Sequence, residues 1–250
     1  YDCPKKGVNY MERLQKKISS LGYCSRRHAE ELISKGLVEV NGEVVTKLGT
    51  TVKPGDIISV EGNILDNSRS FEYYLLNKPK GVVTTTNDEK GRKTVVDFIN
   101  TTSRIYPVGR LDYDTSGILI LTNDGELANL LMRPGSLVDK TYIVKVNGEV
   151  TIKDVQKLRN GVIIDGIKTK KARVKLKSVD KKKSTSILEI TIHEGKNHQI
   201  KKMFESLGYK VTKLRREKYA NLDLKGLLPG EYRPLTVKEV KILYSLCKKK

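Results

Sequence analysis

The sequence predicts an α+β protein in two parts: a small helix, helix and strand unit, followed by a larger unit with a mixed, mostly antiparallel sheet flanked by helices. Strand-sized apolar segments alternate with helical ones, but without the regular strand–helix–strand period of a parallel sheet. A polar stretch at residues 63–70 lies between the two parts and is typical of a linker. These observations place a domain boundary near residue 68.

The domain limits follow from this boundary. We assign residues 11–67 to the small unit, 68–245 to the large unit and 246–250 to a basic tail. The chain begins with Tyr1, a residue that does not initiate translation, so we expect residues 1–10 to be a tag or an upstream extension.

Two helices are predicted at the start of the small unit. Leu14, Ile18 and Leu21 recur at helical spacing, and Ser25 is a suitable N-cap for a second helix. Gly36 is a suitable residue to end that helix, because glycine readily adopts the left-handed conformation found after helix C-termini.

Three short strands follow the helices. Asn41-Gly42 between residues 37–40 and 43–45 predicts a hairpin, since this pair accepts the positive φ angles of a tight type I′ turn. Pro54-Gly55 predicts a second turn, which leads into a strand at 56–60.

The large unit alternates strand-like and helix-like segments. The apolar, β-rich segments lie at 71–76, 117–122, 141–146, 172–176 and 186–192. Helical segments are predicted near 125–132, 152–159 and 197–207. The lysine runs at 181–183 and 248–250 are expected to be a solvated loop and tail.

Charge indicates the class of partner. Lys and Arg number 48 against 29 Asp and Glu, a formal net charge of +19, which attracts polyanions such as nucleic acid. An anionic membrane is the other polyanion, but no apolar run is long enough for membrane insertion, so we expect none. Cys3, Cys24 and Cys247 form no CxxC pair, which favours reduced thiols in a cytoplasmic protein, without a metal site.

A basic helix start in the small unit suits phosphate. At Ser25-Arg26-Arg27 the first N–H groups of the predicted helix point outward beside two guanidinium groups, and Arg13 adds charge nearby in sequence. An ordinary capped surface helix is the alternative interpretation.

A carboxylate in the large unit is a candidate for chemistry. Asp112 lies between a turn at Gly109 and the apolar strand that begins at Ile118. From these residues alone, Asp112 and Asp114 could equally be turn residues that bond nearby backbone amides.

Ordered motifs decide between these possibilities. Residues 11–62, with Ser-Arg-Arg, a glycine and Val-Asn-Gly, resemble the small S-four-type RNA-binding domain. Four further motifs, at 73–85, 106–117, 140–142 and 194–209, resemble in this order those of RsuA/RluB-type ribosomal RNA pseudouridine synthases. This family isomerises uridine to pseudouridine without a cofactor.

The resemblance implies a catalytic set. Asp112 matches the aspartate that attacks the ribose C1′ or stabilises the intermediate. Tyr142 matches the tyrosine that stacks on the uracil, and Lys201 the basic partner of the aspartate. Leu214 matches the apolar residue that packs beneath the tyrosine and the aspartate. Apart from the resemblance, Tyr142 could equally be a core residue of its strand.

RNA contacts are expected on both parts of the chain. Uridine must leave the RNA stack before it can react, and Arg110 is our candidate to assist this, with a local salt bridge as the alternative. The other predicted RNA-contacting residues are Arg13, Ser25, Arg26, Arg27, Lys78, Lys140, His198 and Lys202.

Two other classes of function remain open on the sequence. A non-catalytic RNA-binding regulator fits the charge, although the set of Asp112, Tyr142 and Lys201 argues against it. A methyltransferase would need a glycine-rich turn after a strand, and none is evident. Within the family, residues 87–99 and 139–142 resemble the large-subunit RluB branch more than the small-subunit branch. We expect a monomer.

Overall fold

The computed structural model describes residues 11–66, 70–133 and 135–248. The chain divides into two compact units, one containing residues up to 71 together with 101–104, the other containing 72–100 and the residues from 105 onward. The predicted tag at 1–10 and the boundary predicted near residue 68 lie outside the described residues.

The small unit packs two helices against short antiparallel strands. Its elements are β1 (Glu12–Arg13), α1 (Leu14–Ser20), α2 (Arg26–Ser34), β2 (Val38–Val40), β3 (Glu43–Val44), β4 (Thr51–Val52), β5 (Ile58–Val60) and β6 (Asn63–Ile64). One sheet has the order β3-β2-β5-β6, and β1 pairs with β4. Buried Leu14, Ile18, Leu32, Val38 and Val60 join helices and sheet in one core.

The predicted local signals of this unit are confirmed. The Ser25 hydroxyl accepts a hydrogen bond from the His28 N–H at 3.1 Å and caps α2. Gly36 follows the end of that helix with a φ of +72°. Asn41 and Gly42 have φ angles of +54° and +84°, as a type I′ hairpin requires.

Three short strands in this unit were not predicted. Asn63–Ile64 pairs with β5, so the beginning of the supposed linker is a strand. The turn before it is formed by Glu61 and Gly62, both with positive φ. Glu12–Arg13 pairs with Thr51–Val52, so Arg13 precedes the first helix and is not part of it.

The large unit contains the remaining strands and helices. They are β7 (Tyr73–Lys78), β8 (Tyr106–Pro107), β9 (Ser116–Thr122), α3 (Gly125–Met132), β10 (Lys140–Asn147), α4 (Ile152–Asn160), β11 (Ile163–Ile164), β12 (Ile167–Lys168), β13 (Arg173–Asp180), β14 (Thr185–Ile192), α5 (Gln199–Glu205), β15 (Val211–Tyr219), β16 (Leu222–Asp223), β17 (Tyr232–Pro234) and α6 (Val237–Lys248). A 3-10 turn lies at Val96–Phe98.

A nine-stranded sheet forms the centre of this unit. Its order is β13-β14-β10-β15-β9-β7-β17, with β16 paired to β15 and β8 paired to β9. Among the described residues β9 and β15 pair in parallel, and the other strand pairs of this sheet are antiparallel. The predicted mixed, mostly antiparallel sheet is therefore confirmed.

Alternating side chains bury both faces of the sheet. Leu119 and Leu121 of β9 join the core that includes α4 and α5, whereas Ile118 and Ile120 join the core that includes α3 and α6. In the described part of the chain, no helix is both long enough and apolar enough to span a membrane.

The last helix corrects the predicted tail. Helix α6 extends through Lys248 and buries Leu243 and Cys247, so residues 246–248 belong to it. Its start has reciprocal capping, because the Glu239 N–H donates to the Thr236 hydroxyl while the Glu239 carboxylate accepts from the Thr236 N–H at 2.8 Å.

Candidate active site

A cavity of about 950 Å³ lies within the large unit. It is lined by the loop between β8 and β9, by β10 and β15, and by the segment that leads into α5. Among its lining residues are Asp112, Tyr142, Lys201 and Leu214. The cavity therefore brings together the four residues predicted to be catalytic, which are as much as 102 positions apart in the chain.

A buried lysine fixes the loop that contains Asp112. The Lys78 Nζ donates hydrogen bonds to the carbonyl oxygens of Pro79 at 3.1 Å, Asp112 at 3.0 Å and Thr115 at 2.9 Å. These three acceptors match the three N–H bonds of an ammonium group. The Thr84 hydroxyl holds the same loop by donating to the Leu111 carbonyl oxygen at 2.6 Å.

This geometry overturns the prediction that Lys78 contacts RNA. Its side chain is fully buried and its donors are all used by backbone carbonyls. Burial lowers the pKa of Lys78 to about 8, although the charges of Asp112 and Asp114 act in the opposite direction. Lys78 therefore holds the loop that contains Asp112 from its buried side.

Lys201 forms an ion pair with two carboxylates. Its Nζ lies 2.9 Å from Asp112 Oδ2 and 2.7 Å from Asp114 Oδ1. Partial burial acts to lower the pKa of Lys201, but the hydrogen bonds and charges of the two carboxylates outweigh it and hold that pKa above its ordinary value. The hydrogen bond from Lys201 lowers the pKa of Asp114. The lysine therefore stays charged at neutral pH.

The segment before α5 is braced by its own side chains. Gln199 accepts a hydrogen bond from the Lys196 N–H at 3.0 Å and donates to Glu194 at 2.6 Å. His198 adopts a left-handed φ of +51° and places its Nε2 at 3.5 Å from Asp112 Oδ1. This bracing fixes where the helix begins, and hence where Lys201 reaches the carboxylate.

Strands β10 and β15 supply the wall of the cavity. Tyr142 is paired with Arg216, and Val144 with Leu214, in antiparallel register. Tyr142, Leu214 and Arg216 are all buried and line the cavity. Arg216 was not among the predicted site residues, although it lies two positions after Leu214 in a strand and so on the same face.

The other predicted RNA contacts in the large unit differ in position. Arg110 is exposed at the cavity and has no salt-bridge partner among the described residues, which disfavours the local salt-bridge alternative. Lys140 lines the cavity. Burial lowers the pKa of Lys140, and the charge of Arg216 lowers it further. Lys202 is paired with Asp165 in the turn between β11 and β12, outside the cavity lining.

In the small unit the predicted phosphate-binding residues remain available. Arg13, Arg26 and Arg27 are exposed, and within the described ranges none has a hydrogen-bond or ion-pair partner for its guanidinium group. Ser25 uses its hydroxyl to cap α2. Two free guanidinium groups at a helix start suit phosphate contact.

Known proteins match both units of this chain in sequence. Residues 72–206 match the family described as RNA pseudouridylate synthase, and residues 12–58 match the S4 domain. The ribosomal large subunit pseudouridine synthase B of Bacillus subtilis is 53% identical, with 94% of this chain and 97% of that protein covered. The dual-specificity RNA pseudouridine synthase RluF of Escherichia coli is 41% identical, with 94% and 79% covered.

A solved structure gives the same result. The crystal structure of a pseudouridylate synthase matches with a TM-score of 0.66 at 33% identity and covers 92% of this chain and 99% of its own. The match to the synthase family over the segment that contains Asp112, together with the S4 domain, identifies an RNA-modifying enzyme. The chain belongs to the RNA pseudouridylate synthase family.

Proposed function

We propose that this protein isomerises one uridine of large-subunit ribosomal RNA to pseudouridine, in the cytoplasm and as a monomer. The choice of large-subunit RNA is supported by the 53% identity to a relative named for that substrate. The observation that carries the mechanism is the Asp112 carboxylate, held at 2.9 Å from the Lys201 ammonium group in the cavity wall.

The reaction exchanges one bond of the ribose for another. The N1–C1′ bond of uridine breaks, the uracil turns within the site, and C5 bonds to C1′. The proton on C5 leaves and N1 gains one, so substrate and product have the same composition. No group is transferred and nothing is oxidised. The enzyme must therefore hold a reactive sugar and a detached base together while water is excluded.

Asp112 is the group that acts on the sugar. Its carboxylate attacks C1′ or stabilises the positive charge that develops there. Lys201 holds this carboxylate in one orientation through a charge-assisted contact of 2.9 Å. Lys78 holds the backbone at Asp112 and so limits the movement of the nucleophile during the reaction.

The remaining cavity residues act on the base and on the RNA. Tyr142 stacks on the uracil, and Leu214 supports the tyrosine from the neighbouring strand. Arg110, exposed at the cavity, takes the place of the flipped base or holds a phosphate while the base is out. Arg26 and Arg27 of the small unit add phosphate contacts that increase affinity and leave the chemistry unchanged.

The test uses unmodified transcripts of both ribosomal RNAs and no added cofactor. Pseudouridine is mapped by carbodiimide-stop primer extension with wild type, Asp112→Asn and Asp114→Asn. The two variants remove the same charge from the two partners of Lys201, but Asp114 is mostly exposed. We expect one new stop in large-subunit RNA, absent with Asp112→Asn and retained with Asp114→Asn.

Other results would redirect the proposal. A stop in small-subunit RNA would move the substrate to the other branch of the family. A stop that persists with Asp112→Asn would remove the carboxylate from the mechanism. Tight binding without any stop would favour a non-catalytic RNA-binding regulator.

A further inference from the structure

Arg216 is a buried cation whose guanidinium group is only partly satisfied. The residue is 3% exposed. Its Nε donates to the Ile118 carbonyl oxygen at 2.8 Å, and its Nη1 makes a long hydrogen bond of 3.5 Å to the Tyr142 hydroxyl. Its Nη2 is buried and has no hydrogen-bond partner in the described part of the chain. No carboxylate among the described residues forms a salt bridge with it.

Such a group is unfavourable unless it receives an acceptor. A buried donor without an acceptor costs about 1–3 kcal/mol, and more when the donor is charged. Native proteins satisfy nearly all such groups, so an exception requires a functional reason or a missing partner. Arg216 lines the same cavity as Asp112, and an acceptor brought by a ligand in that cavity is the simplest partner.

The surroundings of Arg216 indicate what kind of ligand this is. Its guanidinium carbon lies 5.1 Å from the ring centre of Tyr219 and 6.0 Å from that of Tyr142, and both tyrosines line the cavity. The two neighbouring rings favour a flat ring as the ligand, and a carbonyl oxygen on such a ring can accept from the buried donor.

We propose that Arg216 is a base-binding residue, whose Nη2 donates a hydrogen bond to a carbonyl oxygen of the uracil ring of the target uridine. This inference rests on the proposed function. When the N1–C1′ bond breaks, its electron pair remains on the uracil and spreads over N1 and the two carbonyl oxygens. The guanidinium group stabilises this negative charge until C5 bonds to C1′. No other co-reactant is needed.

The same residue orients Tyr142. Because Arg216 can only donate, the tyrosine oxygen accepts from it, and the hydroxyl proton must point elsewhere. Arg216 therefore couples the strand pair β9 and β15, through Ile118, to the side chain that stacks on the base. The Nε and Nη1 groups of Arg216 bind the protein itself, and the Nη2 group is left for the ligand.

The experiment removes either the donor of the proposed hydrogen bond, on Arg216, or its acceptor, a carbonyl oxygen of the uracil. RNA carrying uridine, 2-thiouridine or 4-thiouridine at the mapped site is prepared by ligation, since sulfur is a much weaker acceptor than oxygen. Single-turnover rates are measured with wild type, Arg216→Met and Arg215→Met. Arg215 is the matched control, because it lies on the same strand, is exposed and is outside the cavity lining.

The proposal predicts a specific pattern of rates. Wild type and Arg215→Met should be slowed about 10-fold or more by one of the two thio substitutions, and Arg216→Met should convert uridine about 10- to 100-fold more slowly. In Arg216→Met that thio substitution should cause no further loss. Each ratio compares two RNAs with one enzyme, so a smaller folded fraction of the variant cancels.

Three results would overturn the inference while leaving the proposed function intact. They are a wild-type rate for Arg216→Met, an unchanged thio ratio in that variant, and no thio sensitivity in the wild type. Absence of pseudouridine from uridine-containing RNA with wild-type enzyme is a different result, because it removes the proposed function itself.

Discussion

Replacing Lys201 by Met should slow the reaction by about 10- to 100-fold even at saturating RNA. The substitution keeps most of the side-chain stem but removes the ammonium group 2.9 Å from Asp112. Without this cation the Asp112 carboxylate loses a charge-assisted hydrogen bond that holds it in one orientation. A carboxylate that is no longer held in its reacting geometry acts more slowly on the bound uridine.

The size of the loss follows from the hydrogen bond. A bond to a charged group contributes about 1.5–3 kcal/mol, and about 1.36 kcal/mol corresponds to a tenfold change in rate. The loss in rate should therefore be about 10- to 100-fold. Lys201 itself stays charged near neutral pH, because its pKa lies above its ordinary value.

The assay follows from the reaction, in which the C5 proton of uridine is lost. Release of tritium from RNA labelled at C5 is measured in single-turnover experiments over a range of RNA concentrations. Lys157→Met is the control, since Lys157 is also ion-paired in a helix but lies on α4 with Asp154. A wild-type rate at saturating RNA, combined with weaker RNA binding, would refute this role and assign Lys201 a direct contact with RNA.

Two further predictions concern stability and RNA affinity. A Cβ at Gly117 would lie 2.2 Å from the Arg216 carbonyl oxygen, so Gly117→Ala should lower the Tm by about 6–12 °C in calorimetry. Gly166→Ala, with positive φ but no atom within 4 Å, should lower it by only about 2–4 °C, and equal losses would contradict the close-approach argument. Replacing Arg26 and Arg27 by Ala should reduce the log–log salt slope of RNA binding by roughly 1.4 and leave the single-turnover rate at saturating RNA unchanged, whereas a lower rate there would assign the small unit a part in the reaction.

Local signals in the sequence predicted much of the fold. The Ser25 cap, Gly36 and the Asn41-Gly42 turn depend on single residues whose backbone preferences are strong, and all three appear where expected. The strand β6 was missed because its turn uses Glu61, and positive φ is uncommon for glutamate. Helix α6 was missed although Thr236 and Glu239 form a readable capping pair.

The site was less accessible to sequence reasoning than the fold. Asp112 and Lys201 were assigned from motifs, and the structure places them in contact. Lys78 was misassigned because a lysine in a motif resembles an RNA contact, while its burial depends on tertiary packing. Arg216 was missed because a basic residue among others in a charged strand shows no sign that its guanidinium group is buried.

The position of β15 determines when the enzyme can become active during its synthesis. This strand lies between β10 and β9 in the sheet, and it is made after the family-matching segment, which ends at residue 206. A nascent chain of that length has Asp112, Tyr142 and Lys201, but its two half-sheets lack the strand that joins them. Completion of the cavity therefore requires a contact between residues about one hundred positions apart, Gly117 and Arg216, and so cannot precede synthesis of β15.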